Sequence, residues 1–210
     1  MQPPARHLVP LAAALCATLA CADSPDPLLA KRVDAVVDSA IADKRLVGAV
    51  VLVLRDGQLV YHRAAGLADR EAGRPMTEDT IFRLASVTKP LVSAAAMHLV
   101  DQGRLRLDDP VSRWLPDFKP KLADGTTPVI TVSQLLNHTA GLSYGFLESP
   151  HGPYRTAGVS DGLGEPEIGF AENLKRIASV PLSYPPGKGW RYSMATDVLG
   201  AGLEKAAGQG

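Results

Sequence analysis

The chain has 210 residues, 46% of them hydrophobic, and its 22 Lys and Arg residues balance its 22 Asp and Glu residues. This balance excludes the strongly basic surface with which proteins bind nucleic acid or an anionic membrane, and favours a small or neutral substrate, while the length suffices to bury a core. The two cysteines, Cys16 and Cys21, both precede residue 23, so the remaining chain offers no disulfide, thiol nucleophile or thiolate metal site.

Residues 1–22 have the layout of a secretory signal peptide. Arg6 is followed by the apolar run Leu8–Ala20 and by small residues before Asp23, which is typical of a cleavage site. No later segment reaches about 18 uncharged apolar residues, so we expect an exported protein, periplasmic or secreted, without a transmembrane segment. As an alternative, Cys21 is a lipid-attachment site, although the residues before it match that signal poorly.

The first predicted elements of the mature chain are an amphipathic helix and a β-hairpin. Between Pro27 and Lys44, apolar residues recur at helical spacing with charges between them. Val47–Leu54 is then a β-branched and aliphatic run, Asp56-Gly57 is a hairpin turn signal, and Gln58–Ala65 is the second strand. Because the first strand lacks polar alternation, we expect the hairpin to be covered on both faces.

After the hairpin, only helices and loops are predicted. The first helix runs from Ser86 to Gln102, with Pro90 in its first turn and Gly103 at its end, and its apolar circumference predicts burial. The later predicted helices cover 109–114, a segment opened by the capping box Thr131-Val132-Ser133-Gln134, 170–179, and 196–207 closed by Gly208. The Pro- and Gly-rich segments 142–168 and 181–189 predict surface loops around a site. Since an isolated hairpin is marginal in water, we expect further strands to be missing from this sequence.

The clearest chemical signal is Ser86-Val87-Thr88-Lys89, at the start of the predicted helix. The spacing places Ser86 and Lys89 on one face of a helical turn. A serine hydroxyl is a poor nucleophile until a base takes its proton, and a lysine made neutral by burial or by a cationic neighbour can do that. The positive end of the helix also favours negative charge that develops at Ser86. The Ser-x-x-Lys pattern alone, however, is also typical of a helix-capping serine followed by a solvated lysine.

Other residues offer competing interpretations. Ser143 lies in Gly141–Gly145, a match to the Gly-x-Ser-x-Gly nucleophile elbow, but an elbow needs a strand before it, and this one follows a helix. His138 is a candidate base, although Asn and His at a helix end more often bond loop backbone. Trp190 is either a pocket wall or core packing. The histidines have no convincing cluster of acidic neighbours, so no metal or other cofactor is implied.

Three motifs resemble the serine hydrolases related to class C β-lactamases, a family that also contains penicillin-binding DD-peptidases and β-lactamase-like esterases. The motifs are FRLASVTKP at Phe82–Pro90, LLNHTAGL at Leu135–Leu142 and PGKGWRYS at Pro186–Ser193, and the likeness extends from about residue 28 to 210. The resemblance implies an α/β (α+β) fold of the β-lactamase/transpeptidase type, with an antiparallel sheet flanked by helices and an all-helical region. Residues 23–210 are then an incomplete domain that lacks the C-terminal strands and the family's third motif.

The resemblance also implies a catalytic site. Ser86 corresponds to the family's nucleophile, Lys89 to its proton partner, and Tyr192 to the tyrosine of the second catalytic motif. A tyrosine beside a cationic lysine has its phenolate favoured and can carry the serine proton to the leaving group. The implied reaction is acyl transfer from a small-molecule acyl substrate through an acyl-enzyme on Ser86, without a cofactor.

Met194 favours one activity within that family. It stands where β-lactamases and DD-peptidases have the Asn of a Tyr-x-Asn pattern, so an amide that would contact a lactam or peptide carbonyl is lost. The segment Tyr192–Gly200 is similar instead to the esterase-type members. We therefore expect a β-lactamase-like carboxylesterase, with two alternatives: a β-lactamase or DD-peptidase, and a catalytically inactive binding protein that keeps the fold.

Overall fold

The computed structural model describes residues 27–164 and 168–208, so the predicted signal peptide lies outside the described residues. The helices are α1 (Pro27–Ala42), α2 (Thr88–Asp101), α3 (Val132–Leu136), α4 (Pro153–Thr156), α5 (Phe170–Ser179) and α6 (Ala195–Ala207). The strands are β1 (Gly48–Arg55), β2 (Gln58–Asp69) and β3 (Arg74–Pro75). Short 3-10 turns occur at Ala85–Val87, Val111–Arg113 and Gly145–Leu147. The chain divides after Phe82 into two compact units.

The first unit contains the predicted helix and hairpin. β1, β2 and β3 form an antiparallel sheet in that order, and the turn at Asp56-Gly57 has the positive φ angles, 51° and 78°, of a tight hairpin connection. α1 is tied to β2 by the Tyr61 hydroxyl and the Arg63 guanidinium, which donate to Asp34 at 2.6 and 2.7 Å. The two-residue β3 was not predicted, because a strand this short has no periodicity to detect.

The prediction that the hairpin is covered on both faces is wrong for the described residues. Leu52 and Leu54 of β1 keep 50% and 60% of their surface exposed, whereas Val60 and Tyr61 of β2 are buried. An apolar run shows that a strand tolerates burial, but the neighbours that bury it are set by tertiary contacts.

The core of the second unit is built around α6, which packs against α2 and α3. Ala195 and Val198 of α6 are fully buried, and Gly208, at φ 66°, ends the helix in the left-handed conformation as predicted. α5 also has the predicted bounds. The predicted helix 109–114 is only a 3-10 turn. The buried carboxylate of Asp109 accepts the backbone N–H of Arg106 at 2.9 Å, which favours a tight turn there over a continued helix.

α2 is less buried than its composition predicted. Ala96 and Leu99 are buried, but Leu91 and Met97 keep 59% and 41% of their surface exposed, so the expectation of burial all round is wrong for the described residues. The helix begins at Thr88, after a 3-10 turn, and Pro90 lies in its first turn as predicted. Composition reports how apolar a helix is but does not identify what packs against it.

The loop predicted at 142–168 is partly internal. Leu142 and Ser143 are fully buried, and the loop contains α4 and a 3-10 turn that were not predicted. The Tyr154 hydroxyl accepts the Ser143 backbone N–H at 3.1 Å, and this bond ties α4 to the buried segment. Such a contact joins residues eleven positions apart and has no local sequence pattern.

The capping box of α3 is confirmed, and it leads to a stability prediction. The Thr131 hydroxyl accepts the Gln134 N–H at 3.4 Å, and the Gln134 side chain accepts the Thr131 N–H at 2.9 Å. Thr131→Ala should lower the free energy of unfolding by about 1 kcal/mol, measured by urea denaturation, because it removes the N-cap acceptor. Thr127→Ala, at an exposed loop position, is the matched control and should change stability by less than about 0.5 kcal/mol. Equal losses in both variants would contradict a capping contribution.

Candidate active site

Ser86 lies at the N-terminal side of α2, in the 3-10 turn Ala85–Val87. The turn closes with a hydrogen bond from the Val87 N–H to the Leu84 carbonyl at 3.0 Å. Ala85 has φ 45°, in the left-handed region that L residues rarely adopt. Ser86 follows this strained residue directly and is exposed at the surface of the unit.

Lys89 lies one turn beyond Ser86, and its ammonium is in the same site. Its Nζ is 3.4 Å from the Ser86 Oγ, a long hydrogen bond, and the side chain is half-buried. The Nζ is also 4.7 Å from the ring centroid of Tyr192 and 5.4 Å from that of Tyr144. The predicted i, i+3 relation is therefore present, with two aromatic neighbours that the spacing did not reveal.

Tyr192 joins this pair from 106 residues further along the chain. Its hydroxyl donates to the Ser86 Oγ at 2.8 Å, a shorter contact than the one from Lys89. Its ring packs against His138 and Tyr144, with centroids 4.9 and 5.5 Å apart. The structure thus brings Lys89 and Tyr192 within hydrogen-bond distance of the Ser86 hydroxyl.

The LLNHTAGL motif positions Tyr192 through its backbone. The carbonyls of His138 and Thr139 accept the N–H groups of Arg191 and Gly187 at 3.1 and 2.8 Å. These hydrogen bonds hold the PGKGWRYS segment directly beside the LLNHTAGL motif. Tyr192, near the end of the PGKGWRYS segment, is thereby placed next to α2. The backbone of this motif therefore holds another segment in place. The expected side-chain bond to loop backbone is made by Asn137, whose Oδ1 accepts the Thr139 N–H at 3.1 Å, whereas the His138 ring bonds the Ser193 side chain.

Gly141 allows the two segments to approach. Its φ is 85°, and a Cβ at this position would collide with the backbone carbonyl oxygen of Tyr184. Its own carbonyl accepts the Ser183 N–H at 2.8 Å. A residue with a side chain would force these backbones apart, which explains why glycine stands here.

His138, Ser143 and Trp190 are the competing candidates. His138 has its Nδ1 3.3 Å from the Ser193 Oγ, and burial together with the charge of Lys89 holds its pKa below the usual value, so the ring is neutral at pH 7. Ser143 is fully buried, so no substrate carbonyl reaches its Oγ. Trp190 keeps 67% of its surface exposed and therefore is not core packing.

The charge state of the site follows from its hydrogen bonds. Burial alone would lower the pKa of Lys89, but hydrogen bonds to Tyr144 and Tyr192 raise it above its usual value. Burial alone would raise the pKa of Tyr192, but its hydrogen bonds with Lys89 and Ser86 and the charge of Lys89 bring it below its usual value. Lys89 is therefore an ammonium at neutral pH, and the neutral-amine route is disfavoured relative to a Tyr192 phenolate.

A cavity of about 420 Å³ opens beside Ser86 and Lys89. Apolar side chains on its wall are those of Val92, Phe146, Leu163 and Phe170. The wall also contains three carboxyl groups, those of Asp161, Asp197 and Glu204. Sequence reasoning missed Tyr144 and Asp197. The only signal for Tyr144 was its place within the elbow-like Gly141–Gly145, and Asp197 was visible only as an acid in the first turn of a helix.

Within residues 27–164 and 168–208, no three His, Cys, Asp or Glu side chains are grouped so that they could hold a metal ion. In the same ranges, each helix is too short or too polar to cross a bilayer.

Known proteins that resemble this chain share one family. The family described as Beta-lactamase matches residues 33–210. The chain is 58% identical over 181 residues to "Esterase EstB" of Burkholderia gladioli, which covers 86% of this chain and 46% of the relative. It is 30% identical over 171 residues to "Penicillin-binding protein 4*" of Bacillus subtilis, covering 80% of this chain and 34% of that protein.

A solved structure supports the fold. "EstCE1, a hydrolase with promiscuous acyltransferase activity" matches 88% of this chain and 48% of its own length, with a TM-score of 0.84 and 48% identity. The predicted fold of β-lactamase/transpeptidase type is thereby confirmed. The chain spans about half the length of the relatives it matches, in agreement with the prediction that the fold is larger than this sequence.

Proposed function

Because this chain belongs to the β-lactamase family, we propose that it carries the nucleophile of a serine carboxylesterase that acts on small acyl esters through an acyl-enzyme on Ser86. The observation that carries the proposal is the 2.8 Å contact between the Tyr192 hydroxyl and the Ser86 Oγ, with the Lys89 Nζ at 3.4 Å from the same oxygen. A nucleophile, a proton acceptor and a cation that stabilises the acceptor are the parts that acyl transfer requires.

Tyr192 acts as the base in the proposed first step. Its phenolate takes the proton of the Ser86 hydroxyl while the Oγ forms a bond to the ester carbonyl carbon, and the carbonyl electron pair moves onto oxygen. When the tetrahedral intermediate collapses, the C–O bond to the alcohol breaks, and the proton on Tyr192 passes to the departing oxygen. Water then repeats the sequence on the acyl-enzyme, which releases the acid and restores Ser86.

The developing oxyanion needs hydrogen-bond donors. The backbone N–H of Ser86, at the positive end of α2, is suitable for one of them, since the helix dipole favours negative charge there. The second donor belongs to the part of the family's fold that this sequence does not contain. The proposal therefore concerns the protein at its full encoded length.

Met194 supports esterase chemistry over lactam or peptide hydrolysis. Its side chain is 2% exposed and belongs to the core of the second unit, so this position offers no amide to a bound substrate. The 58% identity to "Esterase EstB" of Burkholderia gladioli supports the same choice. A β-lactamase or DD-peptidase remains the second candidate, supported by the more distant "Penicillin-binding protein 4*".

The proposal is tested by labelling and substrate choice on the full-length protein. A fluorophosphonate probe should label Ser86, identified by peptide mass spectrometry, and p-nitrophenyl butyrate should be hydrolysed much faster than nitrocefin. Nitrocefin turnover faster than ester turnover, or stable acylation by a fluorescent penicillin, would favour the second candidate. Absence of labelling would favour an inactive binding protein.

The pH dependence of the reaction follows from the same charges. Activity should rise with pH as Tyr192 loses its proton, and the midpoint should lie below 10, because Lys89 and Ser86 favour the phenolate. The activity should fall again only at a pH above the usual pKa of a lysine, because the hydrogen bonds to the tyrosines raise the pKa of Lys89. The measurement is kcat/KM for ester hydrolysis between about pH 5 and 11. A rising limb at an ordinary carboxylate pKa would contradict Tyr192 as the base.

We also propose that the protein is exported, with the signal peptide cleaved before Asp23. The support is the charged, apolar and small-residue order of residues 1–22. N-terminal sequencing of the protein from the periplasm or medium should begin at Asp23. A mature protein that retains Cys21 with a lipid attached would show the alternative anchor.

A further inference from the structure

Three large apolar side chains stay exposed around the active-site cavity. Phe146, Leu163 and Phe170 keep 41%, 63% and 47% of their surface exposed, and all three line the cavity that opens beside Ser86. Large apolar side chains are usually buried, and a group of them around a concave site is typical of a surface that binds an apolar ligand. The proposed reaction gives these side chains no role, so they indicate a part of the substrate that the chemistry at Ser86 does not involve.

The acyl part of the ester is the part that this cavity suits. In the proposed reaction the alcohol oxygen takes its proton from Tyr192, so the alcohol departs beside that hydroxyl. The acyl group instead stays bonded to the Ser86 Oγ. Among the described residues, the cavity wall includes Ser86 and Lys89 but not Tyr192. An acyl chain on Ser86 therefore extends into the cavity while the alcohol leaves on the Tyr192 side.

One segment of the cavity wall is fixed by a buried amide. Residues 161–163 are consecutive and all line the cavity. Directly before them, the Ser160 N–H donates to the Asn173 Oδ1 at 2.9 Å, and the Asn173 Nδ2 donates to the Ser160 carbonyl at 2.9 Å. Asn173 lies on α5 and is 9% exposed. Both polar groups of its side chain are thus used on one loop residue, and a buried amide left without partners would be costly.

Two arginines hold the same segment at further points. Arg176, one turn after Asn173 on α5, donates to the Gly158 carbonyl at 2.8 Å. The Arg83 guanidinium donates to the Gly162 carbonyl at 2.9 Å, and Arg83 lies shortly before the nucleophile in the chain. The segment is therefore connected both to α5 and to the part of the chain that carries the nucleophile, so hydrogen bonds set its position in the site.

We propose that residues 160–163 are the acyl-binding wall of the active site, that Leu163 is its specificity-determining side chain, and that the enzyme therefore favours apolar acyl groups longer than acetyl. This inference rests on the proposed function, since it names the substrate class of the same site. Asn173 is a positioning residue, because it holds Ser160 and does not touch the reacting atoms.

The proposal predicts an acyl-chain preference that depends on Leu163. Each methylene that passes from water into an apolar site contributes about fourfold to kcat/KM, so the full-length protein should prefer p-nitrophenyl butyrate to p-nitrophenyl acetate by about tenfold. Leu163→Ala should reduce that preference to about threefold, mainly through the KM of the butyrate, and should leave kcat for the acetate within a few-fold. Leu147→Ala is the matched control and should keep the preference, because it shortens an exposed leucine that lies outside the cavity wall formed by the described residues.

Asn173→Ala tests the positioning role. It removes both hydrogen bonds to Ser160, so the butyrate preference should fall to a similar value although Leu163 itself is unchanged. A merely structural amide would lower the thermal unfolding midpoint and leave the ratio of the two esters in place. Lys175→Ala, at an exposed position of the same helix, is the control and should keep both the midpoint and the ratio.

Each outcome decides the proposal. An unchanged preference in Leu163→Ala would overturn Leu163 as the determinant, and an unchanged preference in Asn173→Ala would overturn the positioning role. If Asn173→Ala gives no cooperative thermal unfolding, Arg83→Ala replaces it, because this exposed position supplies the hydrogen bond to the Gly162 carbonyl of the same wall. An unchanged preference in Arg83→Ala would then overturn the positioning of the wall by hydrogen bonds.

A second substrate series tests the alcohol part of the ester. Ethyl acetate and butyl acetate differ only in the alcohol. A Leu163→Ala variant that changes the preference between these two, and not between the butyrate and the acetate, would overturn the acyl assignment in favour of an alcohol-binding wall. A wild-type protein that hydrolyses both p-nitrophenyl esters with equal kcat/KM would overturn this inference alone, whereas one that hydrolyses no ester would refute the proposed function.

Discussion

Ser86→Ala should abolish covalent labelling and lower kcat/KM for ester hydrolysis by at least about 10⁴-fold in the full-length protein. The substitution removes the oxygen that forms the acyl bond, and neither the Tyr192 phenol nor the Lys89 ammonium offers a replacement at the same point. Because Ser86 is exposed, the variant should fold with an unchanged thermal unfolding midpoint. The loss would then belong to chemistry and not to stability.

Ser143→Ala is the matched control for this variant. Ser143 is the serine of the elbow-like motif, and it is fully buried. Its replacement should leave labelling and kcat/KM within a few-fold of the wild type, since the partners of its Oγ among the described residues are the Tyr144 carbonyl at 3.4 Å and Arg191 at 3.5 Å. Labelling that survives Ser86→Ala and disappears in Ser143→Ala would transfer the nucleophile to the other serine. A biological activity that persists in Ser86→Ala would favour a binding protein.

Tyr192→Phe should lower kcat by about 10² to 10⁴-fold while KM changes little. The ring and its packing against His138 and Tyr144 are kept, but the oxygen that lies 2.8 Å from the Ser86 Oγ is lost. Without this acceptor, the serine proton has no route to the leaving group. The rising limb of the pH profile should be lost with it, because that limb reports ionisation of Tyr192.

Tyr184→Phe is the control for loss of a phenolic hydroxyl. The Tyr184 hydroxyl donates to the His138 carbonyl at 3.4 Å, away from the Ser86 Oγ that Tyr192 contacts. This variant should keep the rate within a few-fold and retain the rising limb. A Tyr192→Phe variant with wild-type kcat and an unchanged limb would show that another group takes the serine proton.

Much of the fold was predictable because its signals are local. The hairpin turn at Asp56-Gly57, the capping box at Thr131 and the end of α6 at Gly208 each depend on residues within about four positions of one another, and all three are confirmed. Burial was predicted less well. Apolar composition predicted that α2 and β1 are buried, whereas the side chains of Leu91 and Leu54 are largely exposed. Composition measures the preference of a side chain, and its neighbours decide whether that preference is met.

The candidate site was likewise predictable from local sequence patterns only where its residues are neighbours along the chain. The three-residue spacing of Ser86 and Lys89 is a property of one helical turn, so the sequence alone determined that the hydroxyl and the amine are close. Tyr192 was identified only through resemblance to a family, because 106 residues separate it from Ser86. Its 2.8 Å contact depends on backbone bonds between two distant motifs, which no local pattern encodes.

The tertiary structure alone decided the charge state of the site. From the sequence, Lys89 is a candidate neutral base or a candidate cation, and nothing in its neighbours along the chain separates the two. The folded chain places the phenols of Tyr144 and Tyr192 and the carboxyl of Asp197 in the same site. A proton affinity depends on the groups within a few ångströms in space, and folding, not sequence order, selects those groups.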